Sequence, residues 1–300
     1  MRRTPRLAIA AVALLGFLGA CGSDKDTKTT TTTVAAATTT AGSTTAAPTT
    51  AAGTSTTKAA TTTSKAPTST PASTPAAEGD ITVFAAASLT ASFNEIGSAF
   101  STEYPDAKVT FSFDASSALV TQINEGAPAD AFASADEANM KKLTDVGGNA
   151  GEPVIFATNV LQIIVPKGNP KGITSVADLA KPGITFVTAA PEVPIGKYTQ
   201  QVLDAAGVSV TPVSLEQNVK GIVTKVANGE ADAGIVYKTD VLAEPKSEGV
   251  DIPEDINVIA KYPIVVTKEA TNASTGQAFV DFVLSDQGQK ILASYGFEAP

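Results

Sequence analysis

The sequence predicts an α/β domain built as two lobes, and three observations carry that reading. From Asp80 onward, short β-branched runs alternate with stretches of helical period, the pattern of a mainly parallel sheet covered by helices. Past Pro166 the alternation restarts as though a second unit had begun. Strand-to-helix junctions rich in small residues recur in both halves, at the carboxyl ends of strands where open α/β sheets place their ligands.

Ile81-Thr82-Val83-Phe84 reads as a buried strand, after which Ser88 stands where an N-cap belongs. Phe93, Ile96 and Phe100 then form one apolar helical face. Val109 to Phe113 is a second strand, followed by Ser116, Ser117 and a helix bearing Leu119 and Ile123 that closes at Gly126. Ala131-Phe132-Ala133 is a third strand, and Asp136 opens the next helix. Val160 to Val165 is a long strand ending at Pro166, and Ile184 to Val187 another that leads into Pro191-Glu192-Val193-Pro194-Ile195-Gly196. Asn218 caps a helix whose Val219, Ile222, Val223 and Val226 repeat at helical spacing until Gly229. Ala233 to Tyr237 and Tyr262 to Val266 are the last strands, before a final helix carrying Phe279, Phe282, Val283 and Ile291. The expected organisation is residues 79–158 with 262–300 as one lobe and 159–261 as the other, a monomer with the ligand in the cleft between them.

What precedes this domain has a different character. Arg2, Arg3 and Arg6 lead an uncharged apolar stretch from Leu7 to Leu18. That stretch is short of the roughly 20 residues a membrane span needs and reads as a secretory signal over 1–20. It ends in Leu18-Gly19-Ala20-Cys21, which resembles the lipobox of bacterial lipoproteins. That likeness implies cleavage before Cys21, a lipid on its new N-terminus and an extracytoplasmic domain tethered to the cell membrane. Residues 21–78 are almost wholly Thr, Ala, Ser and Pro, too poor in apolar side chains to offset the entropy of ordering, and read as a disordered stalk.

Composition excludes several functions. A net charge of −9 speaks against nucleic acid, which requires a basic footprint, and means that any anion site must be local. The chain has no histidine and a single cysteine, Cys21, which removes Ser-His-Asp and Cys-His catalysis, the commonest zinc ligand and internal disulfides. No catalytic residue, cofactor or free metal cation is expected.

Three junctions offer unpaired backbone N–H groups at helix starts: Ala86-Ala87-Ser88-Leu89-Thr90, Asp114-Ala115-Ser116-Ser117-Ala118 and Pro194-Ile195-Gly196-Lys197. Such ends carry partial positive charge and can surround an anion with neutral donors. Each serine alone is also an ordinary cap, and Tyr237, ending an apolar strand, could be a core tyrosine bonded to backbone. Asp130 and Asp136 would repel an anion and are read as caps or hinge contacts.

Taken in order, Ile81-Thr82-Val83-Phe84-Ala85-Ala86-Ala87-Ser88-Leu89-Thr90, Phe113-Asp114-Ala115-Ser116-Ser117-Ala118-Leu119 and Gly126-Ala127-Pro128-Ala129-Asp130-Ala131-Phe132 resemble the molybdate-binding component of bacterial molybdate ABC importers. The likeness continues through Pro191 to Tyr198, Gly234-Ile235-Val236-Tyr237 and Tyr295-Gly296-Phe297. It implies a periplasmic-binding-protein-like fold of type II that delivers molybdate, and tungstate with it, to an ABC permease. It further implies that Ser88 and Ser116 supply hydroxyl and amide donors, Ile195 and Val219 backbone N–H groups, and Tyr237 its phenol. Where members often have a run of serines this chain has Asp114-Ala115-Ser116-Ser117, so Ser117 competes with Ser116 for the role. The rivals are the same fold holding sulfate or phosphate; iron capture, which would want paired tyrosines; and an enzyme on this fold, for which the serine loops lack paired acids. The site is expected to hold donors only, with Lys197 pointing outward.

Overall fold

The computed structural model describes residues 77–300, so the signal segment, Cys21 and nearly all of the stalk lie outside the described residues. In chain order the strands are β1 (Gly79–Ala86), β2 (Ala107–Asp114), β3 (Ala131–Ala133), β4 (Val154–Asn159), β5 (Leu161–Pro166), β6 (Phe186–Ala189), β7 (Ser214–Glu216), β8 (Ala233–Tyr237), β9 (Ser247–Asp251) and β10 (Ala260–Val266). The helices are α1 (Thr90–Glu103), α2 (Ser116–Asn124), α3 (Glu137–Asp145), α4 (Pro194–Ala205), α5 (Val219–Ala227), α6 (Lys238–Leu242), α7 (Ala273–Leu284) and α8 (Asp286–Ser294).

The strands form two five-stranded sheets, ordered β2-β1-β3-β10-β4 and β7-β6-β8-β5-β9. In the first, β1 runs parallel to β2 and β3, while β10 is antiparallel to β3 and β4. In the second, β6 is parallel to β7 and β8, while β5 is antiparallel to β8 and β9. The mainly parallel sheet expected from sequence is therefore corrected to two mixed sheets of matching design. Apolar strand runs report burial, whereas direction is set by the connection. Parallel neighbours need a crossover, usually a helix, but β5 and β10 each arrive from the other sheet and run back against their neighbour.

The chain passes from the first sheet to the second through Val160 and returns through residues 252–259. Asparagines tie these passages down. Asn257 accepts from Leu161 N at 3.1 Å and donates to Leu161 O at 3.0 Å, and Asn159 donates to Thr239 Oγ1 at 2.9 Å.

Packing follows the helical periods. Phe93, Ile96 and Phe100 of α1 are fully buried, and Phe93 and Phe100 meet Phe279 of α7 at ring separations of 6.0 and 5.5 Å. Each such side chain contributes about 1.5–3 kcal/mol by leaving water. Three local readings change. Ser88 lies in a 3-10 turn, Ala87–Leu89, and α1 starts at Thr90 without a side-chain cap. Strands β4, β7 and β9 were not expected from sequence: β4 carries the apolar run Val154-Ile155-Phe156-Ala157 directly before the strand that was read, and β7 and β9 are partly exposed edge strands without a continuous apolar run. The final helical run breaks at Ser285, which accepts from Gly288 N and so starts α8. Gly229 does terminate α5, at φ +73°, a left-handed conformation natural to glycine.

Candidate functional site

The carboxyl ends of β1, β2 and β8 and the starts of α4 and α5 converge on a small cavity between the sheets, of about 10 Å³. Ser88, Asp114, Ser116 and Ala135 line it from the first sheet's side, and Ile195, Asn218, Val219 and Tyr237 from the second's. All five residues singled out from sequence, Ser88, Ser116, Ile195, Val219 and Tyr237, thus border one space. Ser117 borders the wider groove outside it.

Helix geometry decides which donors are free there, because the first N–H groups of a helix have no upstream carbonyl. At α2, Ala118 and Leu119 donate to Ala115 O, which leaves the amides of Ser116 and Ser117. At α4, Pro194 has no N–H and Lys197 donates to Val193 O at 3.0 Å, which leaves Ile195 and Gly196. At α5, Asn218 Oδ1 accepts from Lys220 N at 3.1 Å and Gly221 N at 3.3 Å, which leaves Val219. The start of α4 is pressed onto the end of β6: a Cβ at position 196 would collide with the carbonyl oxygens of Ala189 and Ala190, so Gly196 fixes where the Ile195 amide lies.

The hydroxyls are held by neighbours, and neither serine caps its helix. Ser116 Oγ accepts from Ala135 N at 2.9 Å, which leaves its proton for another acceptor. Ser88 Oγ lies 3.1 Å from Tyr262 Oη, itself fully buried. Tyr237 is 1% exposed, and among the described residues its Oη has no hydrogen-bond partner. The core-tyrosine alternative, with its hydroxyl on backbone, is therefore corrected. A buried phenol left unpaired in this way calls for an explanation. Burial, reinforced by the Tyr262 and Tyr198 phenols and nearby acids, pushes the Tyr237 phenol well above its ordinary 10; burial also dominates at Tyr262, against a smaller opposing effect of the Ser88 bond. Both are neutral donors at physiological pH.

Among the described residues no lysine or arginine borders the cavity. Lys220, next to Val219, is paired with the buried Asp240 at 2.8 Å, and Lys197 is exposed. The donor-only expectation needs one correction: Asp114 also borders the cavity. Its Oδ1 accepts from Ala115 N at 2.8 Å and from Asn218 Nδ2 at 2.9 Å. Asp136 caps α3 through Asn139 N, and Asp130 binds Thr82 N, Thr271 Oγ1 and Asn272 N. Among the described residues no cluster of three His, Cys, Asp or Glu side chains could hold a metal ion.

Sequence reasoning missed Tyr198 and Tyr262. Tyr237 packs edge-on against both, at 6.5 and 5.7 Å between centroids. Their positions in the chain are too far apart for any local pattern to join them.

A small cage of neutral donors and one engaged carboxylate, where the two sheets meet, fits a binding protein, and the sequence agrees: residues 81–298 match the family described as bacterial extracellular solute-binding proteins, to which the chain belongs. This is a family of binding proteins, not enzymes. It is 42% identical over 238 residues to the molybdate-binding protein ModA of Mycobacterium tuberculosis, covering 79% of this chain and 91% of that one. In fold it resembles the periplasmic molybdate-binding protein of Azotobacter vinelandii, with a TM-score of 0.64 at 21% identity over 73% of this chain and 99% of the other. It also resembles the sulfate-binding protein SubI of Mycobacterium tuberculosis, with a TM-score of 0.67 at 21% identity over 74% and 87%. These are two-lobed binding proteins of type II, as expected from the sequence.

Proposed function

We propose that the chain captures molybdate, and tungstate with similar affinity, and delivers it as a monomer to an ABC importer. Residues 79–158 with 262–300, extended to Asn159 and back to Ala260 by the ends of β4 and β10, form one closing lobe and the chain between them the other. The observation that carries this is the buried, unpartnered Tyr237 hydroxyl on a cavity where helix starts present free amides and no cation. A tetrahedral dianion offers acceptor oxygens to the donors that border this cavity. Ser88 and Ser116 give hydroxyl and amide protons, Ile195 and Val219 their amides, and Tyr237 its phenol. The 42% identity to a molybdate-binding protein supports molybdate over other tetrahedral anions.

Five or six charge-assisted hydrogen bonds at about 1.5–3 kcal/mol each are ample for micromolar binding, which requires about 8 kcal/mol. Lobe closure around the anion creates a shape that a permease can recognise. Native mass spectrometry of the protein produced with and without molybdate in the medium tests the assignment. Added mass matching one oxyanion is expected only with it, and no retained mass in either sample contradicts it.

Leu18-Gly19-Ala20-Cys21 supports a lipid anchor at Cys21 on the outer face of the cell membrane, with residues 22–78 as the tether. Cys21→Ala is expected to move the protein to the soluble fraction. A variant still membrane-bound after a carbonate wash rules the anchor out.

A further inference from the structure

We infer that Asp114 and Asn218 form a latch across the cleft that sets how long the anion stays bound. The inference rests on the proposed anion site. Asp114 ends β2 in one lobe and Asn218 precedes α5 in the other, yet Asn218 Nδ2 donates to Asp114 Oδ1 at 2.9 Å, and both residues border the cavity.

Each partner also orients a donor facing that space. Asp114 Oδ1 holds Ala115 N at 2.8 Å, directly before the free amides of α2. Asn218 Oδ1 takes the second and third amides of α5, which leaves the Val219 amide free. One side-chain contact therefore joins the loop carrying Ser116 to the helix start carrying Val219. The latch and the anion's own bonds both belong to the closed arrangement, which the free protein also populates, so each strengthens the other.

The carboxylate also explains itself this way. A carboxylate beside an anion is unfavourable, and the two N–H donors that engage Asp114 Oδ1 offset part of that cost. It is a positioning residue, with no contact to the anion required.

The test is a cycle of variants read by molybdate dissociation rate and calorimetric affinity. Asp114→Ala removes the acceptor. Asn218→Ser removes the cross-lobe donor yet keeps a good helix cap. Each is expected to speed dissociation about ten-fold or more, and the double variant is expected to be no faster than either alone. Asp114→Asn, which retains an acceptor oxygen, is expected to recover most of the loss. Single variants within about two-fold of wild type, a double variant equal to the product of the singles, or Asp114→Asn as poor as Asp114→Ala each overturn the latch. Hydrogen exchange of the α5 start without ligand, expected to rise in Asp114→Ala, separates the two failures. Wild-type protein that binds no molybdate refutes the ligand assignment, while an unchanged α5 start in Asp114→Ala refutes the latch.

Discussion

The two lobes supply the cavity with different kinds of donor. The first contributes amides at the start of α2 and, in addition, hydroxyls, Ser88 and Ser116, each positioned by a partner on its own side: Tyr262 for one and Ala135 N for the other. The second contributes amides at the starts of α4 and α5, whose side chains, Ile195 and Val219, are buried apolar packing, plus the unpartnered phenol of Tyr237. In the proposed site, side-chain hydroxyls would therefore carry a share of recognition on one side that on the other falls mainly to backbone placed by packing. A substitution that deletes a donor in the first lobe leaves the second lobe's amides intact, and conservative changes of the side chain at Ile195 or Val219 delete nothing.

The largest effect is expected at Tyr237. Tyr237→Phe should weaken molybdate binding by about 1.5–3 kcal/mol, the worth of a hydrogen bond to a charged group, while leaving the ligand-free protein as stable or more stable, because a buried unpaired hydroxyl is removed. Ser88→Ala should behave oppositely on stability: it orphans the buried Tyr262 hydroxyl, so both affinity and stability fall, each by about 1–3 kcal/mol. Calorimetry paired with thermal unfolding separates the two signatures, and equal behaviour of the two variants breaks the comparison.

Val219 tests the backbone half. Val219→Ala should leave affinity within about three-fold of wild type, since only packing changes, whereas Val219→Pro should cost about 1.5–3 kcal/mol of binding by removing one amide proton. Proline is well tolerated at the first helical position, and Asn218 before it already has the extended conformation, φ −155° and ψ 174°, that a following proline demands. Titration calorimetry of both variants reads the difference directly.

The same division explains how much was legible in the sequence. Strands such as Ala233–Tyr237 and the capped helix after Asn218 were readable because apolar period and cap chemistry are local. Strand direction was not, because β5 and β10 depend on where the chain re-enters a sheet. In the site, serines and a terminal tyrosine were visible as residue types. Nothing about an isoleucine or a valine announces an anion ligand, and those two positions came from family resemblance together with their place at helix starts. The Asp114–Asn218 contact spans 104 positions, and each partner already had a sufficient local reading, a strand end and a helix cap.

The central claim is that neutral donors spaced for one tetrahedral dianion select it by size and protonation. Competition calorimetry with molybdate, tungstate, sulfate and phosphate at fixed ionic strength tests it most directly. Tungstate should match molybdate. Sulfate, too small to reach all the donors, should be much weaker, and phosphate, which carries a proton near neutral pH, should lose about 1–3 kcal/mol or more for an unmatched group. Molybdate affinity should be flat from about pH 6.5 to 8.5, because the Tyr237 and Tyr262 phenols are pushed above their ordinary 10 and stay protonated throughout. Sulfate or phosphate displacing molybdate at comparable concentration would contradict the claim.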